Sequence, residues 1–296
     1  MAALYAHILT MKFTITLSLF LIACFFISSC NKGPTGGIPF YLRMDTAVVT
    51  APLHVSASSN TQAIQDVWVE DGANNMGAYE LPCNFPVLDK DSVRFVINPG
   101  VWQSSESTNP VIYPLMNPDV FTLYAVSGSQ YRHVPTFTYK GADSVLFNED
   151  FELGMDYNSS MTRFRDSAKY GNYCGKITVG PTDSSVVAVQ QHASQGTGSI
   201  CPYALVPGQE IWVELDYKSD VPFWTGIIAN FSSGSTQTIP VLFLLPTQTW
   251  TKEYIKLTAT VGQADANTFN LYFEADNPSG FAGGSVYLDN IRLIHM

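Results

Sequence analysis

The side chains best placed to do chemistry are tryptophans set among carboxylates. In "EIWVELDYKSD", residues 210–220, Trp212, Glu214 and Asp216 alternate with Ile211, Val213 and Leu215. A two-residue period on a strand sends these two sets to opposite faces. With the aliphatic face turned to a core, Trp212 and Glu214 face outward or into a groove. The C–H faces of sugar rings stack on indoles, and a few placed polar groups fix the hydroxyls. Trp224 follows Pro222-Phe223 in a loop-like context and offers a second platform; Trp102 follows Pro99-Gly100 in a polar loop. Trp212, Glu214 and Trp224 are therefore the candidate ligand-binding residues. The competing reading of each is an ordinary packed residue of a core or its rim.

Catalysis finds less support. Glycosidases need two carboxylates across a scissile bond, but 25 acids guarantee pairs by number alone. No nucleophile elbow, no HExxH and no phosphate-cradling glycine loop is present in the sequence. The five histidines (His7, His54, His133, His192 and His295) are isolated from one another, so no spaced zinc set forms. The expectation is a protein without catalytic residues. Cys174 and Cys201 fall in one predicted domain on strands that could be neighbours, so they form either a disulfide or two buried thiols, with Cys83 left unpaired.

The formal net charge of −10 repels phosphate backbones, and no Lys/Arg cluster offsets it, which argues against nucleic acid as a partner. Only 14% of residues are charged while 46% are hydrophobic. The polar surface must then be built from Ser, Thr, Asn, Gln and Tyr, as in many secreted all-β proteins.

The elements that would position these residues are strands. Past residue 31 no long helical period appears, and short alternating runs are broken by Gly, Pro, Asn and Asp. Residues 64–82 read as a hairpin with its turn at Asp71-Gly72, and "DSVRFVINPG" (91–100) as a strand ended by Pro99-Gly100. The predicted fold class is all-β: a small immunoglobulin-like sandwich over 39–144 and a jelly-roll sandwich over 145–296.

The second half resembles jelly-roll carbohydrate-binding modules with a galactose-binding-like fold. The resemblance rests on "NEDFE" (148–152), "YGNYCGKITV" (170–179), "VPGQ" (206–209), "WTKEY" (250–254) and "VYLDNIRL" (286–293) in that order. It implies glycan binding, and a structural calcium where the opening segment meets the closing strand, with Glu152 and Asp289 as ligands and Glu149 and Asp150 nearby. The competing reading is that these carboxylates are solvated or cap turns. The same resemblance assigns Trp250 to the core, at the start of a strand running through 250–261.

Residues 13–29 carry no charge and follow Lys12 and Met11, a candidate true start. This is the anatomy of a signal peptide over 1–29; the competing reading, a single membrane-spanning helix, is disfavoured because the apolar run is at the short edge for spanning. Ile27-Ser28-Ser29-Cys30 resembles the bacterial lipobox; Leu21-Ile22-Ala23-Cys24 is its rival. Cys30 is favoured because "NKGPTGGIP" behind it forms a polar tether, with 30–38 as lipidated cysteine and linker. Acyl chains on Cys30 would hold the chain on a membrane. Four Asp-Ser/Thr-aliphatic tripeptides, such as Asp45-Thr46-Ala47, resemble O-glycosylation sites of exported Bacteroidota proteins; the competing and favoured reading is that they are ordinary turn-to-strand starts. The sequence thus leads to a non-catalytic outer-membrane lipoprotein of Bacteroidota type, with polysaccharide as the ligand, on either face of the membrane. The alternative is a structural or protein-interaction module of the cell envelope.

Overall fold

A computed structural model describes residues 37–51, 61–72, 74–89, 91–104, 110–141, 145–165, 167–191, 201–278 and 282–296. The signal segment, Cys24 and Cys30 lie outside the described residues.

The first half contributes β1 (Phe40–Met44), β2 (Val48–Thr50), β3 (Asp66–Asp71), β4 (Asn74–Glu80), β5 (Cys83–Val87), β6 (Asp91–Trp102), β7 (Pro110–Ile112), β8 (Met116–Asn117), β9 (Asp119–Ala125), β10 (Gln130–Arg132) and β11 (Thr136–Tyr139). The second contributes β12 (Val145–Glu149), β13 (Met161–Arg165), β14 (Tyr173–Val179), β15 (Ser185–Val189), β16 (Ile211–Ser219), β17 (Phe223–Asn230), β18 (Thr236–Leu244), β19 (Thr247–Lys256), the short helix α1 (Thr258–Ala264), β20 (Thr268–Asp276) and β21 (Gly284–His295). The protein is all-β, as its alternating pattern predicts.

In the first half, a five-stranded sheet (β4-β3-β6-β7, with β9 on β6) shares one core with two three-stranded sheets, β10-β1-β5 and β2-β11-β8. The predicted hairpin forms: Val67 pairs with Tyr79 and Val69 with Gly77. Alternation sets what is inside, since Phe40, Leu42 and Met44 of β1 are buried while Tyr41 is exposed.

In the second half, a six-stranded sheet (β13-β14-β21-β16-β19, with β12 also on β21) faces a four-stranded one, β15-β20-β17-β18. Val213, Leu215 and Tyr217 of β16 and Ile227, Ala229, Leu271 and Phe273 of the opposite sheet enclose the core between them. The long closing strand β21 is the spine: β16 lies along one side, and β14 and β12 lie end to end along the other.

Residues 250–261 do not form one strand as expected. Lys256 is the last β19 residue paired with β16, which begins at Ile211. With no partner strand beyond that point, the chain turns into α1, burying Val261.

Candidate functional site

Two adjacent strands of the six-stranded sheet present chemistry on its outer face. On β16 the outward residues are Trp212, Glu214, Asp216 and Lys218; on β19 they are Trp250, Lys252, Tyr254 and Lys256. The sequence reading put Trp212 and Glu214 on the face away from the aliphatic core, and they are there. That face is not free, however. The first sandwich covers one end of it, and its core continues through Trp212, Tyr254 and Ile294.

Trp212 is 1% exposed. Its ring meets Tyr113 edge to face with centroids 5.2 Å apart, and Tyr113 meets Tyr254 at the same distance. Beside this aromatic cluster, the buried Glu214 accepts hydrogen bonds from the hydroxyls of Tyr113 at 2.7 Å and Tyr139 at 2.8 Å. Arg292 Nη1 lies 3.3 Å and Lys252 Nζ 3.6 Å from its other oxygen. Asp216 accepts from the Thr61 hydroxyl and from Asn290 Nδ2. Two carboxylates and two cations can be buried together because each finds several partners. Burial pulls the Lys252 ammonium below its ordinary range, against the opposing pull of Asp216 and Glu214. Burial also pushes the Tyr113 and Tyr139 hydroxyls well above theirs, with the neighbouring Glu214 adding to the effect. Trp212 and Glu214 are therefore seam residues rather than ligand platforms: a covering domain reaches the face that alternation alone leaves open.

Where the cover stops, a cleft of about 430 Å³ opens at the seam. Thr61, Gln62, Ala63 and Gln65 of the first sandwich form one wall; Asp216, Trp250, Thr251 and Lys252 of the sheet and Lys169-Tyr170 of the β13–β14 loop form the rest. Tyr170 is 52% exposed. A smaller hollow of about 160 Å³ shares Ala63, Gln65, Thr251 and Lys252 with the cleft and adds Trp102 and Tyr254 to its lining. Trp250 corrects the expectation that it is a core residue: it is only half-buried, with Lys218 Nζ 5.8 Å from its ring.

The carboxylates expected to ligate calcium hold the loop that brings Tyr170 to the cleft. Asp289 Oδ2 accepts the N–H groups of Lys169 at 2.8 Å and Tyr170 at 3.4 Å. Glu152 Oε1 accepts those of Asn172 at 2.7 Å and Tyr173 at 2.9 Å. Burial pushes Asp289 up to about 7 despite these amides. For Glu152 burial also acts upward, but the amides of Asn172 and Tyr173 outweigh it and hold the group below its usual value. Nearby, Glu149 accepts from the amides of Phe151 and Asp156, and Asp150 from that of Glu152. The carbonyl oxygens of Phe151 and Glu152 are taken by the guanidinium of Arg163, whose Cζ lies 3.3 Å from the Tyr173 ring centroid. Among the described residues no group of three or more His, Cys, Asp or Glu side chains is placed to hold a metal ion. The carboxylates of Glu149, Asp150, Glu152 and Asp289 each accept backbone amides, as turn-capping groups do.

Cys174 and Cys201 are free, correcting the disulfide expectation. Cys174 sits on β14 near Asp289, Lys218 and Lys176, while Cys201 lies in the core between the sheets, against Gln190 O and Asn270 Nδ2. Burial pushes their thiols up to about 12 and about 11. Trp224 is half-buried on β17, its ring 4.8 Å from that of Phe243. It belongs to the four-stranded sheet and does not line the cleft. Tyr170, Lys169 and the Thr61–Gln65 wall were missed from sequence. For Trp250 the signal was present, as it alternates in step with Lys252 and Tyr254 on an outward face.

No protein-family model matches the sequence, and no curated protein matches it. Solved structures align with about half of the chain. A xylan-binding domain of carbohydrate-binding family 22 is 15% identical, covering 51% of this chain and 94% of its own, at a TM-score of 0.35. The C-terminal family 22 module of a Clostridium thermocellum protein is 16% identical, covering 52% and 96%, at 0.36. A family 29 carbohydrate-binding module is 13% identical, covering 51% and 86%, at 0.31.

Proposed function

We propose that the chain is a non-catalytic, membrane-anchored lipoprotein that binds glycan in the cleft where its two sandwiches meet. The observation that carries the reading is the cleft's composition. Trp250 and Tyr170 offer ring faces for stacking, while Gln62, Gln65 and Thr251 offer hydrogen-bonding groups to hydroxyls. The volume of about 430 Å³ lies within the range of small-ligand sites. Walls from both halves of the chain give the first sandwich a part in the site.

Affinity electrophoresis of the full chain against neutral and acidic polysaccharides tests this. Binding should weaken about tenfold or more in Trp250→Ala and Tyr170→Ala, and stay unchanged in Trp224→Ala. Absence of binding to every polysaccharide would sink the reading. The anchor is tested separately: acyl labelling should vanish in Cys30→Ala and persist in Cys24→Ala.

A second reading, an envelope protein-interaction module, draws on β9. Val120, Tyr124 and the adjoining Val126 lie exposed along this strand, which among the described residues pairs only with β6. Recovery of the chain alone from solubilised envelopes would count against it.

A further inference from the structure

Beyond the cleft, the open half of the outer face carries a regular pattern. Across the strand order β13-β14-β21-β16-β19, half-exposed side chains read Phe164, Lys176, Tyr287, Lys218 and Trp250. Lys176 Nζ lies 4.6 Å from the Phe164 ring centroid and 5.4 Å from that of Tyr287. Lys218 Nζ lies 4.9 Å from the Tyr287 ring and 5.8 Å from the Trp250 ring. Rings and ammonium groups thus alternate across five strands and end at the cleft, where Lys169 lies over Tyr170 with Nζ 5.7 Å from its centroid.

The charge on this ribbon runs against that of the whole chain. Only 15 lysines and arginines stand against 25 acids in the sequence. Among the described residues, ion pairs engage Lys252, Lys256, Arg43, Arg292 and His133, but none engages Lys169, Lys176 or Lys218. Among the described residues, Asp289 accepts the amides of Lys169, Tyr170 and Asn290, Asp216 is held by Thr61, Asn290 and Lys252, and Lys218 Nζ donates to Ser167 Oγ at 3.0 Å. What remains is a cationic strip on an anionic protein. Neutral sugars need ring faces and hydrogen-bond partners, but they gain little from a row of uncompensated ammonium groups. Anionic sugars gain charge-assisted hydrogen bonds from such a row. Lys176 and Lys218 stand on strands separated by β21, so they lie about 10 Å apart at the usual strand spacing. That span is comparable to two linked pyranose rings.

We infer that this ribbon binds a carboxylate-bearing polysaccharide, with uronate groups set on Lys176 and Lys218 and sugar rings against Tyr287 and Trp250. The inference rests on the glycan reading of the cleft and names its ligand class. The ribbon extends the cleft from a pocket for one end of a chain into a track for several units. Long-range attraction between the strip and a polyanion should also make binding sensitive to salt.

The test uses the full chain with polygalacturonate, alginate and hyaluronate, each beside its methyl ester, and with neutral xylan and mannan. At least one free acid should bind ten times more tightly than its ester, and more weakly as salt is raised. Lys176→Met and Lys218→Met should each remove most of that preference, while Lys218→Arg keeps it. Thermal unfolding confirms that each variant is folded, and Lys176→Gln and Lys218→Gln carry the test if a methionine variant is not. Equal binding of acid and ester, or an acid preference untouched by the lysine variants, overturns the inference. Binding to neutral xylan or mannan alone overturns it while leaving the glycan reading intact, and no binding at all overturns both.

Discussion

Tyr113 donates its hydroxyl to Glu214 at 2.7 Å across the seam between the two sandwiches, and both residues are fully buried. With Tyr139, Arg292 and Lys252 they form a polar cluster inside an otherwise apolar contact. Removing one charge from such a cluster leaves its partners buried without compensation. Glu214→Ala should therefore cost about 3–5 kcal/mol. Tyr113→Phe, which removes one hydroxyl and keeps the ring against Trp212, should cost only about 1–2 kcal/mol. Urea denaturation gives both numbers. A loss under 1 kcal/mol for Glu214→Ala would show that the seam does not depend on this cluster.

This seam marks the limit of what the sequence carried. The face of Trp212 and Glu214 followed from alternation with Ile211, Val213 and Leu215. What covers that face comes from Tyr113 and Tyr139, in another predicted domain, and no local pattern connects them to β16. The cleft was hidden for the same reason: Thr61–Gln65 and Trp250 are nearly two hundred residues apart in sequence. Trp250 was misplaced differently. A family pattern set it in the core, although its own alternation with Lys252 and Tyr254 placed it outward. The strands themselves were legible because each is short, alternating and bounded by turn residues, as in the β3–β4 hairpin.

Arg163 supplies an organic cation where the fold resemblance implied an inorganic one. Its guanidinium bonds the carbonyl oxygens of Phe151 and Glu152 and lies over the Tyr173 ring. The unfolding temperature should then be the same in calcium and in chelator. Arg163→Ala should lower stability by about 1 kcal/mol, since the side chain is exposed and its contacts partly screened. A rise of several degrees on adding calcium to the wild type would restore the metal site.

Cys174 and Cys201 should stay reduced under oxidising conditions. They lie on opposite sides of the six-stranded sheet's backbone, one toward its outer face and one in the core. Burial raises both thiols far above neutrality, which suppresses the reactive thiolate. Alkylation of the native protein should therefore modify Cys83, which is half-buried, well before either. Peptide mapping without reductant should yield no peptide joining 174 to 201; finding one would overturn the assignment.

Glu149 should make stability fall as pH rises. Burial is the largest influence on its carboxyl and lifts it from 4.5 to about 8, even though the amides of Phe151 and Asp156 pull the other way. The folded state therefore holds this proton more tightly than the unfolded state between about pH 4.5 and 8. Across that window the folded chain has more protons bound, so the contribution to stability is fully present below 4.5 and declines as pH rises through 8. Asp289, lifted from 3.8 to about 7 chiefly by burial, acts with the same sign over a lower window. The urea midpoint should drop between pH 5 and pH 8.5, with the Glu149 share worth roughly 1–3 kcal/mol. In Glu149→Gln the side chain cannot ionise but loses one of its two amide acceptors, so the variant is less stable at pH 5. Its decline with pH should nevertheless be shallower than that of the wild type, leaving the Asp289 share. An unchanged slope would mean that Glu149 is ionised throughout, its two amides outweighing its burial.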